Sequence, residues 1–260
     1  MNPSRSPGFR FEPGIRQPTR LASLLLATLL ATTAFAGCGG DEKEAKDPTD
    51  VNPRKFRSGD DDEGGMGVSS DVGGLNDSQT RAAFRNAQAG FKKCLMEGWE
   101  RIEFLGGEVH FYVALDDTGT IKANYLEETT LGDRATERCM LDVISAQKWP
   151  KAVGGEIGEA RSSLAFDPPE DVRPPVDWSV DDISQTLAKV GDDLDNCKRH
   201  ASPGRYSVTM YIGTNGSPIS VGVAPPNGEA DLAIDCIVGV LRGATFPSPG
   251  SWPAKVTFDL

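Results

Sequence analysis

The sequence predicts an α+β protein made of two tandem small domains. Each is ordered helix-strand-strand-helix-strand, with a three-stranded sheet and both helices on one face. Three observations carry that expectation: an internal repeat, a matched pair of alternating strands, and matched helical stripes. The repeat is clearest where "CMLDVISAQKWP" (Cys139–Pro150) returns as "CIVGVLRGATFP" (Cys236–Pro247), each a Cys, nine residues, a large aromatic and Pro. An offset of 97 aligns Val109–Pro150 with Tyr206–Pro247 without gaps. Cys94 answers Cys197, with six more residues before the strand in the first copy, and "SSLAFD" answers "AKVTFD". Length changes that fall only between elements mark a duplicated unit, because loops absorb insertions.

Each unit opens with a helical stripe: Phe84, Ala87, Phe91 and Cys94 in the first, Ile183, Leu187, Val190, Leu194 and Cys197 in the second. Ser179 and Asp182 form a capping-box pattern ahead of the latter. Strict alternation follows, with Val109, Phe111, Val113 and Leu115 facing one side, as do Tyr206, Val208, Met210 and Ile212. "DDTG" and "GTNG" then signal hairpin turns. The offset pairs Lys122 with Ile219, whereas periodicity pairs Ile121 with Ile219, so a one-residue slip or bulge is expected in the second strand. A second helix ends at the aromatic-Pro pair, since Pro and the residue before it leave the helical region. Trp149 and Phe246 read as core plugs at that point. A closing strand completes each unit, and Ser162–Phe166 and Lys255–Asp259 are the expected open edges.

Residues 1–37 read as an export signal. Arg5, Arg10, Arg16 and Arg20 precede a 17-residue uncharged stretch that ends in small residues before Cys38. An uncleaved membrane anchor is the alternative, at the short limit for spanning. Residues 38–75 are rich in Gly, Asp and Ser and read as a disordered acidic tether, which would span roughly 35 Å root-mean-square. The two domains are expected at 76–167 and 178–260, held apart by a Pro-rich linker, 168–177. The chain carries 27 basic and 38 acidic residues. Four of the former and one of the latter precede Cys38, which leaves 23 against 37, or −14. That charge is repelled by nucleic acid phosphates and anionic lipid, which makes both poor partner candidates, and no nucleic acid partner is expected.

Of five cysteines, setting Cys38 aside leaves four, two per repeat, an even count that suggests disulfides in an exported chain. Four allow three pairings. Cys94 with Cys139 and Cys197 with Cys236 is the one consistent with independent duplicated units, and each bridge would staple one helix to the next. Units of about 80–90 residues have a marginal core and gain from such staples.

Catalytic patterns are missing. No nucleophile elbow, paired metal ligands or phosphate loop occurs, so no enzyme, cofactor or metal is expected. His110 alternates with core residues and His200 lies in a loop, so both read as surface histidines. The non-core face of the alternating strands carries Tyr112 and Tyr211, which are candidate partner contacts, and Thr257 marks the favoured edge.

The order of elements, the Cys in each helix, the alternating strand with its Gly turn and the C-x9-[WF]-P ending resemble the AgmX/PglI C-terminal domain, a family related in topology to the TonB C-terminal domain. The resemblance covers Thr80–Asp167 and Trp178–Leu260. "FAGC" resembles a bacterial lipoprotein box, which implies lipidation of Cys38 and, with Gly39 next, an outer-membrane lipoprotein facing the periplasm or cell surface. Together these imply a membrane-attached, non-catalytic adaptor that binds cell-envelope proteins, in gliding motility or envelope assembly. The alternatives are a TonB-like energy transducer with an uncleaved anchor, or a small-molecule-binding or hydrolytic periplasmic protein.

Overall fold

Helix α1 (Asp77–Trp99) starts where the Asn76 side chain accepts the Gln79 N–H at 3.0 Å. Phe84, Ala87, Phe91 and Cys94 are all buried, as their spacing requires of one face. A computed structural model describes residues 66–69, 74–154, 157–199 and 201–260. The export signal, Cys38, most of the tether and His200 lie outside the described residues. Strands β1 (Met66–Ser69), β2 (Gly107–Leu115), β3 (Ile121–Thr129) and β4 (Gly158–Phe166) complete the first half with helix α2 (Arg134–Ser145). The second half runs β5 (Val176–Trp178), α3 (Val180–Lys198), β6 (Ser207–Ile212), β7 (Pro218–Ala224), α4 (Asp231–Gly243) and β8 (Ala254–Asp259). The chain is thus mixed α/β, with four helices and two small sheets among the described residues.

Each sheet has four strands rather than the expected three, in the orders β1-β4-β2-β3 and β5-β8-β6-β7. The added strands come from segments without strand patterning. β1, within residues read as tether, pairs antiparallel with β4, and β5, at the end of the Pro-rich segment, pairs parallel with β8. Three or four residues are too short for a period to show, and what recruits them is the unpaired backbone of the neighbouring strand. The closing strands therefore lie inside their sheets, and the edges expected along them are taken by β1 at Arg161–Leu164 and by β5 at Ala254–Val256.

The expected irregularity lies between the first two strands of each sheet, in both copies. Leu115 pairs with Ile121 and Ala114 with Ala123, so Lys122 is bulged. Ile212 pairs with Pro218 and Tyr211 with Ser220, so Ile219 is bulged at the counterpart position. There is no slip between the copies.

Cys94–Cys139 links α1 to α2 and Cys197–Cys236 links α3 to α4, with Cα separations of 5.8 and 5.5 Å. Such bridges persist in an oxidising, extracytoplasmic compartment. No helix among the described residues is long and apolar enough to cross a membrane. The aromatic-Pro pairs have a second task besides filling the core. Phe246 N–H donates to Gly216 O at 2.9 Å, so the chain leaving α4 crosses the hairpin turn where Gly216 holds φ at 79°.

The halves are not held apart by the Pro-rich segment. The outer face of β6 and β7 packs on the first half through Thr209, Tyr211 and Ser220, which bond to Thr129 O, Gly106 and Gly132 O respectively. A sheet with helices on one face needs a cover for the other, and the second sheet finds it within the same chain.

Candidate functional site

The corresponding face of the first sheet keeps a polar and aromatic cluster within reach of solvent. Tyr112, on the central strand β2, is flanked directly by Tyr125 on β3 and by Arg161 on β4. The two rings stand 4.8 Å apart at 39°, and the Arg161 guanidinium lies 4.8 Å from the Tyr112 centroid. Arg161 Nε donates to both oxygens of Glu127 at 3.1 Å, and Nη1 donates to Glu159 at 3.1 Å. Tyr112 completes the cluster by donating its hydroxyl to Glu159 at 2.8 Å. Two residues further along β4, Ser163 lies across from His110, whose Nε2 is 2.9 Å from Glu108.

The electrostatics follow from this packing. Partial burial and then the Glu159 carboxylate push the Tyr112 phenol up to about 12. Burial and then Glu127 raise the Tyr125 phenol as well. Burial opposes the charge on Arg161, but Glu127 and Glu159 outweigh it and hold the guanidinium ionised. Neither phenol is a proton carrier near neutrality. The cluster is a fixed surface of rings, hydroxyl and paired charge, suited to contact rather than proton transfer.

Beside it, a cleft of about 620 Å³ is lined by His110, Tyr125, Glu127 and Glu128 from the first half and by Arg205, Pro225 and Pro226 from the second. Tyr125 thus belongs to both the cluster and the cleft.

The three contact candidates part company. Tyr112 is half-buried at the centre of the cluster. Tyr211 is fully buried, donating its hydroxyl to Gly106 O at 3.0 Å and accepting the Gly106 N–H at 3.3 Å. It therefore faces the other half of its own chain and not a partner. Thr257 is exposed, one residue past the last β5–β8 pair, with its hydroxyl 2.8 Å from that of Thr209. Cys94, Cys139, Cys197 and Cys236 are consumed in the disulfides.

Sequence reading missed Tyr125, Glu127, Glu159 and Arg161. The signal was present in "GEARSS", where Glu159, Arg161 and Ser163 alternate with Ala160 and Ser162, but which strand lies beside β4 is not a local property. Lys255 was missed too. It crosses from β8 to donate to Gly106 O at 2.7 Å, and burial lowers its ammonium to about 8.

Among the described residues, no group of three His, Cys, Asp or Glu side chains could hold a metal ion. No protein-family model, curated protein or solved structure matches this chain.

Proposed function

We propose that this protein is a non-catalytic adaptor of the cell envelope, attached to the outer membrane through a lipid on Cys38, and that it binds other envelope proteins through the open face of its first sheet. The observation that carries the reading is the Tyr112–Tyr125–Arg161 cluster. It is prearranged by two carboxylates, lies beside an open cleft, and stays half-buried at the margin of the contact between the halves, whereas Tyr211 on the matching face of the second sheet is fully buried inside the molecule. Aromatic and Arg side chains held rigid before binding lose little entropy on association. The resemblance to the AgmX/PglI C-terminal domain and the disulfides support the same reading.

Proximity labelling in the native envelope tests it. Tyr112→Ala with Arg161→Ala should remove a defined set of labelled proteins that Leu232→Ser, an exposed change elsewhere, retains. An unchanged set would place the binding surface elsewhere. Attachment is checked separately: radiolabelled palmitate should mark the wild type and be lost in Cys38→Ala.

A further inference from the structure

The contacts between the halves are reciprocal. Gly132 packs on the second sheet: a Cβ there would meet Thr209 Cγ2 at 2.9 Å and Tyr211 Cε2 at 3.1 Å, and Ser220 Oγ donates to its carbonyl at 2.7 Å. Gly228, one residue from the position that the 97-residue offset assigns to Gly132, packs on the first sheet in the same way. Its Cβ would lie 3.2 Å from Ala123 Cβ and 3.2 Å from Tyr125 Cδ1. Ala123 and Tyr125 are the counterparts of Ser220 and Gly222. Contacts of i with j matched by j with i define a twofold interface, and near its axis residues meet their own counterparts. They do so here. Arg134 pairs with Asp231 at 3.6 Å and Arg138 with Asp235 at 3.0 Å, each pair 97 residues apart, and Arg134 also reaches Asp235 at 3.2 Å.

We infer that the duplicated unit is a self-pairing module, that its two copies in this chain occupy each other's pairing surface about an approximate twofold axis, and that the axial residues make the pairing selective for unlike copies. Two first copies would bring four guanidinium groups together at the axis, and two second copies four carboxylates. Either arrangement is repelled where the observed one attracts.

Shape adds a second bar. The Glu137 carboxylate of α2 lies so close over Gly222 that any Cβ there would overlap it, and it accepts the outward Val223 N–H of β7 at 3.3 Å. The counterpart of Gly222 in the first copy is Tyr125, which leaves no room for a second Glu137. The counterpart of Glu137 in the second copy is Ile234, which has no acceptor for that N–H. The surface of the first half thus fits a unit with carboxylates at the axis and glycine on β7. Its own second half satisfies both conditions, so whole molecules are not drawn together through it.

The test is a charge-swap cycle in the full chain with both disulfides formed, using Arg138→Asp, Asp235→Arg and the two combined. Both side chains are about half exposed, so the variants fold. Exchange of the Val223 amide reports opening of the interface. Each single change should speed it by about fivefold, and the combined swap should exchange well below the product of the two, short of wild type because Arg134 loses one of its two aspartate partners. All four proteins should sediment as monomers. A swap that speeds exchange by the product of the single effects would overturn the inference, as would a wild-type dimer that Asp235→Arg dissociates.

Discussion

Glu137 sits in an environment far from that of an ordinary surface carboxylate. It is fully buried in the first turn of α2, and burial, with Asp133 adding, raises its carboxyl to about 7 against the Thr129 hydroxyl, Arg134 and the Val223 N–H, which lower it. The folded protein therefore holds this proton more tightly than the unfolded chain does. Its contribution is fully favourable below about pH 4.5 and is lost as the pH rises towards 7, a difference of about 3 kcal/mol. Glu137→Gln should flatten that part of the stability profile. Urea midpoints at pH 5 and pH 8 measure it, and an equal pH difference in wild type and variant would assign the slope to other groups. Gly216 illustrates a steric demand instead. At φ 79° a Cβ would run into Phe246 O, whereas at Gly119, φ 84°, the facing Trp149 O lies 3.0 Å away. Gly216→Ala should cost about 2 kcal/mol in thermal melts and more than Gly119→Ala. Equal costs would show that φ strain alone decides.

At the scale of elements, the disulfides tie helix to helix across chain separations of 45 and 39 residues. Loops of that size give about 4 kcal/mol each when the cross-link restricts the unfolded chain. Replacing Cys94 and Cys139 together by Ser should lower stability by about that amount, read as a shift of the urea midpoint without a change in far-ultraviolet circular dichroism at low denaturant. A loss below about 1 kcal/mol would mean that packing of α1 on α2 supplies the restraint unaided. The strands show how little sequence an edge needs. β1 and β5 carry no alternation, yet they cover β4 at Arg161–Leu164 and β8 at Ala254–Val256, so the outer strands of the sheets are β1, β3, β5 and β7, and of β8 only Thr257–Asp259 is left beyond β5.

For the whole molecule, the balance of charge sets how a partner arrives. A net charge of −11 over the chain steers basic or neutral surfaces towards it, and counter-ions weaken that steering. Once a partner is in hand, its association rate should fall several-fold as NaCl rises from about 0.05 M to about 0.3 M, while dissociation changes little. A salt-independent rate, read by stopped-flow or surface binding, would point to an apolar contact through Tyr112 and Tyr125 alone.

Much of the local structure could be read from the residue pattern. The stripes through Phe84 and Phe91 and through Ile183 and Leu194 are buried, the alternating strands turn Val109, Phe111, Val208 and Met210 inward, and the cysteines pair within each copy. These follow from periodicity and duplication, which act over a few residues or repeat identically. Periodicity says which face of an element is apolar, but it does not say what covers the other face. Tyr112 and Tyr211 lie on the non-core faces of matching strands, yet Tyr211 is sealed against Gly106 and Tyr112 stands in an open cluster. That difference rests on partners about a hundred residues away: Glu137 over Gly222, Arg138 on Asp235, Lys255 on Gly106. Such long-range complementarity of charge and room exists only once the two halves meet, and it is what buries Tyr211 fully while leaving Tyr112 half-buried.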